Sequence, residues 1–123
     1  MRSEARRNDE FYMLQLNDQI VAQKMTVAQS FTKKFMGLMG RRAIHDEAYI
    51  FPGTNAIHTF FMRIPIDVLY LNRQGKVVKV VNRMKPWRLG PWVREAWWVV
   101  ELEADAAHGV MVGDLLQGGP WGN

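Results

Sequence analysis

Residues 57–72 read Ile-His-Thr-Phe-Phe-Met-Arg-Ile-Pro-Ile-Asp-Val-Leu-Tyr-Leu-Asn, an apolar stretch carrying His58, Thr59 and Asp67 inside it. Proline at 65 divides it into two β-type runs, 56–62 and 66–72. The rest of the chain has a similar rhythm. Residues 11–16 alternate loosely as a strand, Asn17-Asp18 is a turn pair, and 19–27 reads as the hairpin partner. Ser30 is placed as a cap, with Phe31, Phe35, Leu38 and Met39 behind it at helical spacing. The pattern predicts one short helix over 31–39, ended by Gly37 and Gly40 and followed by the cations Arg41 and Arg42. Further strands are predicted at 48–51, 76–84, 96–104 and 115–117. The turn 73–75 makes a hairpin of 66–72 with 76–84, residues 85–94 form a Pro- and Gly-containing loop, and 104–109 make one helical turn.

About eight short strands that follow one another without helical crossovers, and one short helix, predict a mainly β fold: a compact antiparallel β-sandwich or barrel. The expected organisation is a flexible charged N-terminus at 1–10, a single domain at 11–117 and a flexible tail at 118–123.

Strand alternation then assigns faces. Ile66, Val68, Tyr70 and Asn72 share one face, and Asp67, Leu69 and Leu71 the other. Both are apolar, so this is a central strand with Asp67 pointing inward. His58, Phe60 and Met62 share a face in the preceding run, and Glu101 lies in line with Trp97 and Val99. Acids in core-type strands require partners. Arg41 and Arg42 are the expected ones, because a guanidinium can hold a carboxylate bidentately.

Composition narrows the chemistry. The chain of 123 residues has no cysteine, which excludes disulfides, thiolate catalysis and cysteine-ligated metals. The first ten residues carry charges of both signs and no apolar stretch, unlike a secretory signal, and no apolar run is long enough to span a bilayer. A cytoplasmic location is the expectation. The net charge is +4. It is concentrated between Val68 and Arg94, where Arg73, Lys76, Lys79, Arg83, Lys85, Arg88 and Arg94 occur with no acid. Such a stretch reads as a solvated basic face or as a surface for anionic partners.

Several short motifs occur in order. They are Gly37-Leu38-Met39-Gly40-Arg41-Arg42, His58-Thr59-Phe60-Phe61-Met62, Pro65-Ile66-Asp67-Val68-Leu69-Tyr70-Leu71, Gly75-Lys76-Val77-Val78, Pro86, Val100-Glu101-Leu102 and Gly113-Asp114. In these the chain resembles the bacterial and archaeal domain of unknown function 192 family, from about Val21 to Leu116. The resemblance implies a compact mainly β fold with a short helix bearing the Gly-Leu-Met motif. It implies motif positions (Gly37, Met39, Arg41, Met62, Asp67, Glu101 and Asp114) without roles, since the family has no established activity. One departure is Asp105, which stands where the family's Glu-Leu-x-Ala-Gly run ends in glycine.

Candidate chemistry divides three ways. His58, Asp67 and Glu101 form the acid–base set of a small enzyme if they converge; the plainer alternative is that the acids accept hydrogen bonds from Arg41 or loop amides and pin the fold. His45, His58 and His108 are scattered without metal-ligand spacing, and no serine-nucleophile or phosphate-loop motif is present, so neither metal nor cofactor is expected. Trp87, Trp92, Trp97 and Trp98 lie beside Lys85, Arg88 and Arg94, a composition suited to stacking on single-stranded nucleic acid or to a protein interface. The leading expectation is a non-catalytic binding module for a protein or small-molecule ligand. Its site is expected in a cleft formed by Arg41, Arg42, His58, Thr59, Asp67, Trp87, Trp92 and Glu101. The alternatives are the acid–base enzyme and a single-stranded nucleic-acid binder using residues 73–98.

Overall fold

The computed structural model of the chain describes residues 13–28, 41 and 43–122. Seven strands occur among them: β1 (Leu14–Leu16), β2 (Gln19–Ala22), β3 (Lys24–Val27), β4 (Glu47–Pro52), β5 (Ile66–Leu71), β6 (Val77–Met84) and β7 (Trp98–Glu103). No helix occurs among the described residues; the helix expected at 31–39, its Ser30 cap, Arg42 and the N-terminal ten residues lie outside them.

β1 and β2 form a two-stranded hairpin, turned at Asn17 with a left-handed φ of 55°. The remaining strands form one sheet in the order β3-β4-β7-β5-β6. The fold is mainly β, as expected, but two details differ. No closed barrel is present among the described residues, and β3 pairs with β4 in parallel while the other pairs are antiparallel. The run expected as one strand at 19–27 breaks at Gln23, where the chain passes from the hairpin to the sheet. Asp46 fixes the crossing: its carbonyl accepts the amides of Gln23 and Lys24, each at 3.2 Å.

Two further expectations change. Residues 115–117 make only single bridge pairs, Leu115 with Lys76 and Gln117 with Gln15. Residues 56–62, whose apolar run mimics a buried strand, form a loop with one bridge pair, His58 with Leu89. A turn closed by the Met62 amide on the Thr59 carbonyl, and a left-handed φ of 68° at Phe61, prevent extension there.

β5 lies between β7 and β6 and is buried along its whole length. Each of its faces serves a separate core. Leu69 and Leu71 join Leu14, Val21, Met25, Ile50, Val100, Leu102, Ala107 and Leu116 beneath the β1–β2 hairpin and the 104–116 segment. Ile66, Val68 and Tyr70 join Ala28, Ile44, Phe51, Met62, Met84, Ala96 and Val99 beneath the loops 53–65 and 85–96. The hydrophobic burial that stabilises the fold is thus divided by the sheet.

The C-terminal segment is fastened too. Trp121 meets Trp98 edge-on at 5.5 Å and donates from Nε1 to the Leu116 carbonyl at 2.8 Å. Its ring occupies the space over Gly75, where an added Cβ would lie 2.2 Å away; Gly75 also has a φ of +89°. The 73–75 turn therefore needs glycine both for its backbone and for the indole above it.

Candidate functional site

Asp67 is fully buried and bonded to backbone. On β6 two residues intervene between the partners of Ile66 and Val68, whereas Asp67 alone intervenes on β5. This is a β-bulge, and Arg83 in it has a φ of +51°. The bulge turns the Arg83 amide out of the ladder, and Asp67 Oδ1 accepts it at 2.8 Å. The other oxygen, Oδ2, accepts the Ala107 amide at 3.0 Å. Asp67 thus ties a bulge to the 104–109 turns. Neither Arg41 nor any other cation among the described residues pairs with it. Arg41 instead donates to Tyr49 Oη at 2.6 Å and to Glu47 Oε1 at 2.9 Å, and the Glu47 bond holds its pKa above the ordinary value.

Glu101 differs in every respect. It lies opposite Val68 on β5 and Tyr49 on β4, on the face of the second core, and is 7% exposed. Among the described residues no hydrogen bond or ion pair reaches its carboxyl. Burial pushes its pKa up to about 8, so the group carries its proton at neutral pH. On the same face Tyr70 is raised to about 12, by burial and then by the charge of Glu101. Its hydroxyl donates to the Pro91 carbonyl at 2.9 Å.

That bond joins the sheet to the loops above. Gly90 lies close over Tyr70: an added Cβ would come within 2.9 Å of the hydroxyl and 3.1 Å of the Ile57 carbonyl. Loops 57–63 and 85–93 are stitched together through Thr59, which is fully buried. Its hydroxyl donates to the Lys85 carbonyl at 2.6 Å and accepts the Arg88 amide at 2.9 Å. Its own amide donates to the Arg88 carbonyl, and its carbonyl accepts the Trp87 amide, both at 2.8 Å. The Gly90 amide donates to the Ile57 carbonyl and the Val93 amide to the Asn55 carbonyl.

With their backbones paired inward, the loops turn rings outward. His58 stacks on Phe60 at 4.5 Å and Phe60 on Trp87 at 6.0 Å, each pair inclined by 26°. Phe61 meets Trp87 at 4.7 Å, tilted by 57°. Phe61 and Trp87 are each more than half exposed, Leu89 and Trp92 more so. Both Phe61 (φ 68°) and Trp87 (φ 62°) hold left-handed backbones, a conformation bulky residues rarely adopt and one that gathers at binding sites. Arg63, Lys85, Arg88 and Arg94 are exposed along the same loops and form no ion pair among the described residues.

Of the residues singled out from the sequence, the structure brings together His58, Thr59 and Trp87, with Trp92 farther along the same loop. Asp67 is separated from them, on the other face of the sheet, and Glu101 lies on their face, with no hydrogen bond or ion pair joining it to His58 among the described residues. The Nδ1 of His58 accepts the Phe60 amide at 3.1 Å. As an acid, Glu101 can donate a hydrogen bond, but none of these histidine or carboxylate contacts supplies it with a proton acceptor. No group of three or more His, Cys, Asp or Glu among the described residues could hold a metal. Sequence reasoning missed Phe60, Phe61, Tyr70 and Leu89. The Phe-Phe doublet was visible, but it reads as strand core, and nothing in composition marks a positive φ. No helix among the described residues is long and apolar enough to cross a membrane.

Comparison with known proteins agrees with this architecture. A UPF0127 protein of Pyrococcus furiosus is 38% identical over 96 residues, covering 73% of this chain and 82% of that protein. A crystal structure of a protein of unknown function from Novosphingobium aromaticivorans superposes with a TM-score of 0.68 at 20% identity, covering 76% of this chain and 74% of the other. A structure described as a putative transcription regulator from Sinorhizobium meliloti gives the same TM-score at 24% identity, covering 76% of this chain and 80% of its own. At those identities the two structures speak for the fold alone. The sequence profile of DUF192, described as an uncharacterized ACR, matches residues 12–118, and the chain belongs to that family.

Proposed function

We propose that this chain is a non-catalytic binding module that contacts its partner through loops 57–63 and 85–94. The observation that carries the reading is the pair Phe61 and Trp87, two bulky rings exposed on left-handed backbones. Folding alone gains little from holding such rings in water at a conformational cost, whereas a binding surface gains preorganised apolar area. The buried Thr59 contacts make the platform rigid. Four exposed cations that form no ion pair among the described residues border it, which favours an anionic partner.

The test is retention on three immobilised polyanions: heparin, polyglutamate and a single-stranded oligonucleotide. The expected result is binding to at least one at low salt, weakened about tenfold or more by joint Trp87→Ala and Trp92→Ala substitution while thermal melting is preserved. Absence of binding to all three overturns the reading, as does binding that survives the double substitution.

A further inference from the structure

We infer that the partner of this loop surface is single-stranded nucleic acid, an inference that rests on the binding-module reading of the same loops. Three features on the surface point there together.

The first is ring geometry. The planes of His58, Phe60 and Trp87 are inclined by only 26° at each step, with centroids 4.5 and 6.0 Å apart. This near-parallel stack runs to Trp87, which also meets Phe61 at 4.7 Å yet is 55% exposed, so its open area offers a base a ring to stack on. Trp92, 66% exposed, offers a second ring on the same loop.

The second is charge. From Ala48 to Arg94 the chain has eight lysines and arginines and a single acid, Asp67. Asp67 is buried against backbone amides on the opposite face of the sheet, so no carboxylate in that span opposes a phosphate chain. Along the stack itself stand Arg63, Lys85 and Arg88, with Arg94 beyond Trp92; the nearest exposed acid in sequence is Glu95. Arg41 and Arg83, by contrast, are held by Glu47 and Asp105.

The third is what the loops do not offer. The amides of Thr59, Trp87, Arg88, Gly90 and Val93 are all bonded within the loop region. An extended acidic peptide would find these loop amides already bonded. The surface presents rings and cations, which are what bases and phosphates use. A duplex keeps its bases stacked on one another and leaves the rings without partners.

Fluorescence anisotropy with labelled oligothymidylate, its duplex with oligoadenylate, and labelled polyglutamate tests this. If the four cations engage phosphates, single-strand affinity falls about 50-fold between 50 and 200 mM salt. Trp87→Ala weakens binding about tenfold at fixed salt with the same salt slope. Lys85→Gln with Arg88→Gln lowers the slope by about 1.4. Melting curves of each variant verify folding. Duplex or polyglutamate binding equal to or tighter than single-strand binding overturns this inference while leaving the binding-module reading in place. Failure to bind any of the polyanions overturns both.

Discussion

Asp67 and Glu101 sit on adjacent strands one register step apart and face opposite sides of the sheet. Asp67 is opposite Leu102 and Glu101 opposite Val68, and cross-strand partners share a face. The two acids therefore belong to different cores and cannot share a proton or a substrate. One is a fastener for backbone amides; the other is a buried acid that no hydrogen bond or ion pair reaches among the described residues.

Asp67→Asn tests the fastener. Asparagine keeps one acceptor but sets an NH2 group against an amide that needs an acceptor. One buried donor is left unpaired, at about 1–3 kcal/mol. The expected loss in a urea titration is about 2 kcal/mol, with Asp67→Ala costing more because both the Arg83 and Ala107 amides lose their acceptor. An unchanged midpoint for both variants would sink the structural role.

Glu101 gives the fold a pH dependence. Its pKa is about 8 when folded against 4.5 ordinarily. Between these values the folded state holds a proton that the unfolded state has released. Stability from this group is therefore complete below pH about 4.5 and is lost as pH rises to about 8, at a slope of at most about 1.4 kcal/mol per pH unit. Glu101→Gln removes the titrating group and keeps its shape. Its stability should match the wild type in acid and exceed it above pH about 8. Parallel wild-type and variant curves across that range would show that Glu101 does not carry the proton.

How much of this could be read from the chain depends on what each side chain reports. Alternation correctly placed Asp67 with Leu69 and Leu71 and marked 66–72 as a central strand, because apolar residues on both faces leave no solvent side. It also placed Glu101 with Val99. The relation between those faces required the register of β5 on β7, which one sequence does not contain. Of the partners expected for Asp67, backbone amides are the ones found, while Arg41 pairs elsewhere and Arg42 lies outside the described residues. Arginine looks like the natural partner of a buried carboxylate, yet the bulge at Arg83 presented an orphan amide, and backbone donors leave no sequence signature. Residues 56–62 misled because Thr59 turns the segment toward the Lys85–Arg88 carbonyls. An apolar run then carries the exposed ring of Phe61 beside the core residue Met62.

Asp105 lies where the resemblance placed a family glycine, and its φ is +74°. A residue with a Cβ is strained there by about 1 kcal/mol, less for Asp than for most. Its ion pair with Arg83 at 2.6 Å is exposed on both sides and adds little. Asp105→Gly should therefore melt at or above the wild-type temperature, and Asp105→Ala about 1 kcal/mol below the glycine variant. A glycine variant less stable than the alanine one would show that the ion pair outweighs the backbone.

The same argument separates binding from folding at Trp87. Its left-handed backbone costs on the order of 1–3 kcal/mol. Its half-exposed ring pairs with Phe61 for about 0.5–1.5 kcal/mol. Trp87→Gly relieves the first, loses the second and adds freedom to the unfolded chain, so stability should stay within about 1 kcal/mol of wild type. A tryptophan that served the core would instead cost about 3–5 kcal/mol on truncation. Urea titration of Trp87→Gly distinguishes these outcomes. Near-wild-type stability means the ring is held outward for a partner; a core-sized loss means it is there to hold the loops down.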